Sequence, residues 1–138
     1  MAAKLAKTYE PSESEKYMNA KQREYFRQKL LRWRSELLLE STGTLQSLKE
    51  VSLAEPDITD RASLETDRSL ELRTRDRERK LISKIDAALA RIDDGSYGYC
   101  EETAEPIGIR RLEARPIATL SLEAQERHER MERTHRDE

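Results

Sequence analysis

The chain has 138 residues, of which 39% are charged, 36% hydrophobic and only 5% aromatic. Its 26 basic and 28 acidic residues leave a net charge of −2, which speaks against a polybasic nucleic-acid binder. A single Cys excludes an internal disulfide framework and suits a reducing compartment. No apolar run approaches the roughly 18–20 residues of a membrane span. The opening MAAKLAKTYEPSESEKY has no apolar centre, so no secretory signal is expected there. The expectation is a soluble cytoplasmic protein with a small core and much elongated, solvated chain.

Residues 1–18 read as a loose, polar N-terminal tail. Asn19 then offers a helix N-cap, with Gln22 as its reciprocal partner three residues on. Phe26, Leu30, Trp33, Leu37, Leu45 and Leu48 recur at mostly helical spacing and mark one stripe of a helix to about Val51. Such a helix of about 30 residues would be about 45 Å long. Gly43 weakens it locally, by roughly 1 kcal/mol against Ala. Phe26 and Trp33 fall on the inner stripe and are assigned to packing.

Pro56 breaks the pattern, and 53–60 is the expected tip loop. Thr59 or Asp60 can cap a second helix from about Arg61 to Asp93. Its stripe is thin at Leu64, Leu70 and Leu72 and thickens at Leu81, Ile82, Ile85, Leu89 and Ile92. Two long helices joined by a short loop predict an antiparallel coiled-coil hairpin over 19–93. The alternative, two helices of a short bundle, lacks apolar surface for a third and fourth.

Gly95 and Gly98 close the second helix. Tyr97, Tyr99, Ile107, Ile109, Leu112, Ile117 and Leu120 lie among Pro106, Gly108 and Pro116. That texture predicts a compact irregular lobe with room for a two-stranded ribbon. A last helix begins at Ser121, with Glu123–Arg127, Glu126–Arg130, Glu129–Arg133 and Glu132–Arg136 spaced as i,i+4 pairs worth about 0.2–0.5 kcal/mol each. The fold class is therefore mainly all-α, with a 94–138 lobe and terminal helix forming a small base.

Three strings are specific: DRSLELRTRDRERKLISKI (67–85), GYCE (98–101) and IGIRRLEARP (107–116). In order and spacing they resemble the DksA branch of the DksA/TraR family, bacterial factors that bind RNA polymerase through its secondary channel. The resemblance runs from about Tyr17 to the C-terminal helix. It implies a coiled-coil hairpin on a small globular base, in agreement with the periodicity.

The family's base usually carries a four-cysteine zinc site, C-x2-C, seventeen residues, C-x2-C. The matching positions here are Cys100, Thr103, Ser121 and Ala124, so one thiolate remains. Structural zinc needs four ligands, and hydroxyls are poor substitutes at neutral pH. His128 and His135 lie in a solvated Arg/Glu-rich helix and do not restore the set. No zinc or other cofactor is expected, Cys100 reads as a small buried hydrophobe, and Ser121 as a cap for the last helix.

The resemblance places the acting tip at Asp57, Asp60 and Ala62. The local sequence agrees: 53–67 holds five acidic residues against Arg61, whereas 71–80 holds five basic against three acidic. An acidic end on a mixed shank suits entry into a charged channel. As local structure, the two aspartates would simply make the turn and cap the helix. A second implied site takes guanosine tetraphosphate (ppGpp), the stringent-response effector, at the polymerase interface. Its matching positions are Leu81, Lys84 and Arg115, with Gln125 where relatives carry a further cation. Lys and Arg suit phosphate, Arg by its fork geometry.

Arg73, Arg75, Arg77, Arg79 and Lys80 are interrupted by acids and have no interleaved aromatics, so direct nucleic-acid binding is not expected. The expected function is regulation of promoter open complexes by a monomeric, non-enzymatic factor. Two alternatives are a transcript-cleavage-stimulating factor in the same channel, with the tip carboxylates holding Mg²⁺, and a general coiled-coil interaction protein.

Overall fold

A computed structural model describes residues 4–53 and 58–137, with side chains over 4–43 and 62–135. Among these residues four helices occur in order: α1 (Ala20–Leu53), α2 (Ile58–Asp94), α3 (Ile109–Ala114) and α4 (Leu122–Asp137). The chain divides into two compact units, a base of residues 1–30 and 87–138 and a hairpin unit of 31–86, so both long helices contribute to each. No described helix is long and apolar enough to cross a membrane.

α1 begins as its sequence dictates. The Asn19 side chain accepts the Gln22 N–H at 2.8 Å, and the Arg23 N–H reaches the Asn19 carbonyl at 3.0 Å. The reciprocal bond is displaced by one residue, because Gln22 Oε1 accepts from Met18 N–H at 2.7 Å. Met18 has a φ of 54°, which turns its N–H back toward the helix start.

In the hairpin unit α1 and α2 are antiparallel. Arg34 Nε meets Asp86 at 2.8 Å and Ser41 Oγ donates to Glu78 at 2.9 Å, so residue number falls on α2 as it rises on α1. Leu37 and Ile85 are buried between them. α2 starts at Ile58, earlier than the sequence predicts, so Ile58, Thr59 and Asp60 belong to the helix and not to the tip loop. Thr59 and Asp60 therefore lie in the first turn and are not caps. An acidic residue is favoured there by the helix dipole, so this sequence signal fits a helix start up to three residues earlier.

Among the described side chains, the base holds most of the burial. Phe26, Leu30, Ile92, Tyr97, Ile107, Ile109, Leu112 and Ile117 form its core. Phe26 packs on Tyr25 at 5.2 Å between ring centroids and on Tyr97 at 5.8 Å. The Tyr97 hydroxyl donates to the Pro116 carbonyl at 2.8 Å, and burial raises its pKa. Within the base Arg27 pairs with Asp93 at 2.5 Å, and Lys29 reaches both the Glu113 carboxylate at 2.6 Å and its carbonyl at 3.0 Å.

Three sequence expectations for the base are corrected. No two-stranded ribbon forms among the described residues; a single antiparallel bridge joins Tyr99 to Pro106. Gly98 and Gly108 bound this turn with positive φ, and the six-residue α3 follows at once, which leaves no length for a ladder. The 1–18 tail is also not loose throughout. Tyr9 donates to Glu15 at 2.9 Å and packs edge-on against Tyr25, while Tyr17 bonds Gly98 and Gly108. Polar composition hid these residues because they are held by phenol and amide bonds rather than by an apolar stripe. Lastly, α4 closes none of the predicted Glu–Arg pairs among its described side chains. Solvent competes with such exposed pairs, and rotamer entropy opposes them. Arg136 lies outside the described side chains.

Candidate functional site

The tip positions stand as follows. Asp57 lies outside the described residues. Asp60 lies in the first turn of α2, and its side chain is outside the described set. Ala62 is on α2 and exposed. Along the shank, Asp76 pairs with Arg79 at 2.9 Å and Lys80 at 3.2 Å. The Lys80 bond and charge, and then Arg79, hold its carboxyl below the usual range.

Leu81 and Lys84 sit three residues apart on α2 in the hairpin unit, Leu81 half-buried and Lys84 exposed. Arg115 belongs to the base, where it terminates α3; its N–H bonds the Arg111 carbonyl at 2.8 Å and its side chain is exposed. Neither cation forms an ion pair among the described residues. Gln125 is half-buried on α4 and donates to Glu129 at 3.3 Å.

The positions that match zinc ligands in the family do come together, but by other chemistry. Cys100 is 3% exposed. Burial pushes its thiol up, yet the Thr103 hydroxyl and the N–H groups of Ser121, Thr103 and Glu102 outweigh this and bring it down to about 6. The turn is set by Cys100 N–H on the Glu105 carbonyl at 2.8 Å and Ala104 N–H on the Cys100 carbonyl at 2.9 Å. Glu101 N–H reaches the Thr119 carbonyl at 2.9 Å and brings the two halves of the matched set together.

Ser121 caps α4. Its Oγ accepts the Ala124 N–H at 3.2 Å, and its carbonyl accepts the Gln125 N–H at 2.9 Å. Ala124 is wholly buried and presents a methyl group where a thiolate would be required. His128 is paired with Glu102, and His135 is exposed on α4. Among the described residues no group of three or more His, Cys, Asp and Glu side chains could hold a metal ion. One thiol, two hydroxyls already engaged and a buried methyl do not fit a tetrahedral zinc site.

Sequence reasoning missed Tyr17 and the second bond of Gln22. The Gln22 amide is wholly buried and donates to the Ser12 carbonyl at 3.1 Å. A fully buried amide signals a specific partner, but only the fold reveals that partner.

Comparison with known proteins agrees with this architecture. The family model described as "DnaK suppressor protein DksA, N-terminal domain" matches residues 22–92, and "Prokaryotic dksA/traR C4-type zinc finger" matches 95–130. The RNA polymerase-binding transcription factor DksA of Caulobacter vibrioides (strain NA1000 / CB15N) is 66% identical over 130 residues, covering 94% of this chain and 92% of that protein. The protein of the same name from Escherichia coli (strain K12) is 46% identical over 115 residues, covering 83% and 76%. The solved structure of transcription factor DksA2 from Pseudomonas aeruginosa superposes with a TM-score of 0.81 at 47% identity, covering 85% of this chain and 90% of that one. Hairpin, base and matched length agree throughout, and the chain belongs to the DksA/TraR family, on its DksA branch.

Proposed function

We propose that this chain is an RNA polymerase-binding transcription factor that enters the secondary channel with its hairpin and alters the stability of promoter open complexes. The observation that carries this reading is the likeness, 66% identity over 94% of the chain, to a protein named for polymerase binding. The hairpin suits the role physically. Leu31, Leu38, Leu39, Leu70 and Leu72 are exposed on it, and Arg73, Arg75 and Arg77 are solvated. A mixed apolar and charged surface of this kind gains burial and charge complementarity on a protein partner.

The family is one of transcription factors and not of enzymes. In this reading the chain performs no catalysis and acts as a monomer in the cytoplasm. Its tip, Asp57, Asp60 and Ala62, acts near the polymerase active centre, and its base needs no zinc. ppGpp reinforces the effect through Leu81, Lys84 and Arg115. The two exposed cations support a phosphate-rich ligand, and Gln125 supplies one charge fewer than relatives do.

The test is transcription in vitro from a ribosomal RNA promoter with purified polymerase, with and without ppGpp. Inhibition that deepens with ppGpp is expected. Failure to bind core polymerase would overturn the whole reading, whereas binding without any ppGpp response would overturn only the effector site.

A further inference from the structure

The zinc-finger match covers 95–130, yet its ligand positions cannot hold zinc. Structural zinc in small modules supplies a large part of the free energy that holds the fold. Here the base is closed by its apolar core, by backbone bonds such as Ile107 N–H to the Gly98 carbonyl at 2.8 Å, and by a phenol that reaches the same turn from the N-terminal segment. Tyr17 Oη donates to the Gly98 carbonyl at 2.6 Å and accepts the Gly108 N–H at 2.9 Å. One oxygen thus joins both ends of the turn that carries Cys100. The ring also packs edge-on against Tyr99, with centroids 5.6 Å apart.

Tyr17 is held by what surrounds it. Buried Gln22 accepts the Met18 N–H and donates to the Ser12 carbonyl, which fixes both ends of the segment that carries the phenol. Glu15 contributes locally, accepting the Ser12 N–H at 3.1 Å and bonds from Tyr9 and Asn19. Met18 is 8% exposed and lies directly over Gly98. A Cβ at Gly98 would sit 2.8 Å from Met18 Cγ, 2.9 Å from its Sδ and 3.2 Å from the Tyr17 hydroxyl. The strap and the glycine are built to each other.

We infer that the segment Ser12–Met18 is a strap that closes this base without a metal, with the Tyr17 hydroxyl as its buckle. The inference is independent of polymerase binding and of the effector site.

Amide hydrogen exchange on the full chain tests it. Tyr17→Phe keeps the ring and removes the hydroxyl. Exchange at Gly108 N–H is expected to speed up by about tenfold or more, while α2 amides between residues 70 and 80 stay unchanged. A chelator should alter neither the parent chain nor the variant. Gly98→Ala should release the Met18 and Gly108 amides together.

Gly95→Ala is the control. Gly95 has a φ of 87° against 92° at Gly98, but nothing lies within 4 Å of a Cβ there. It carries the same backbone strain without touching the strap, so its Met18 and Gly108 amides should stay protected. Unchanged Gly108 protection in Tyr17→Phe would overturn the inference. So would equal release by Gly95→Ala and Gly98→Ala, or opening of the parent base by chelator alone. If Gly98→Ala does not fold, the Tyr17→Phe measurement decides.

Discussion

In the base, α1 buries Phe26 and Leu30 and α2 buries Ala88 and Ile92, alongside Tyr97, Leu112 and the rest of the lobe. Among the described side chains of the hairpin the same two helices bury Leu37 and Ile85 and leave Leu31, Leu38, Leu39, Leu70 and Leu72 at 42–74% exposure. One pair of helices thus serves two ends. Where it meets the lobe and the strap it is part of a packed core. Where it runs alone it is held by a narrow seam and by single polar links such as Ser41–Glu78. The difference shows what a two-helix element lacks. Without a third layer it cannot bury its outer faces. Those faces stay available to a partner, at a cost in intrinsic stability that the base does not share.

The sharpest way to break the comparison is at the proposed tip. Asp60→Asn is expected to abolish regulation of a ribosomal RNA promoter while leaving polymerase affinity within a few-fold. Equal loss of affinity and regulation, in parallel binding and transcription assays, would show that the tip anchors the protein rather than acts.

Stability should divide along the same line. Phe26→Ala removes a wholly buried ring from the base and should cost about 3–5 kcal/mol in urea unfolding. Leu39→Ala, at 74% exposure in the hairpin, should stay within about 0.5 kcal/mol. Similar losses at the two sites would mean that the hairpin is packed as the base is.

The proposed ppGpp positions can be tested one at a time. Lys84→Ala and Arg115→Ala should each remove about 1.5–3 kcal/mol of ppGpp affinity, the value of a charge-assisted contact, and leave the factor's own effect largely intact. Gln125→Lys should strengthen the ppGpp response. A titration of ppGpp in the transcription assay measures all three.

The smallest expected effect lies at Cys100. Its thiol stands at about 6 in the folded base against an ordinary 9.0. A depressed folded-state value favours the fold above the unfolded value and loses that contribution as pH falls through the folded one. Melting temperature should therefore rise between about pH 6 and pH 9. Cys100→Ser should flatten the rise at a cost of about 1–3 kcal/mol, and purified protein should contain no stoichiometric zinc. A pH series of melts with metal analysis checks this, and a pH-independent melting temperature in the parent would refute it.

Much of the hairpin was legible in the sequence, because helical periodicity is local. The spacing of Phe26, Leu30 and Leu37 needs no knowledge of the partner helix, and Asn19 caps through a bond to its own third neighbour. The Ser121 cap was legible for the same reason. Pro56 announced a break but not its limits, so α2 begins at Ile58, earlier than its capping residues suggested. The exposed Glu–Arg ladder of α4 was misleading, since spacing alone cannot weigh an ion pair against water.

By itself, then, the sequence determined the helices, the antiparallel hairpin, the family and a single cysteine where the family's zinc finger is named for four. Only the tertiary structure decided how the base closes. Tyr17 bonds residues 81 and 91 positions away, and the Glu101 N–H bonds the Thr119 carbonyl across the lobe. No local pattern encodes such contacts. A phenol in a polar segment looks the same whether it is solvated or carries two buried bonds, and only the fold brings its partners within reach.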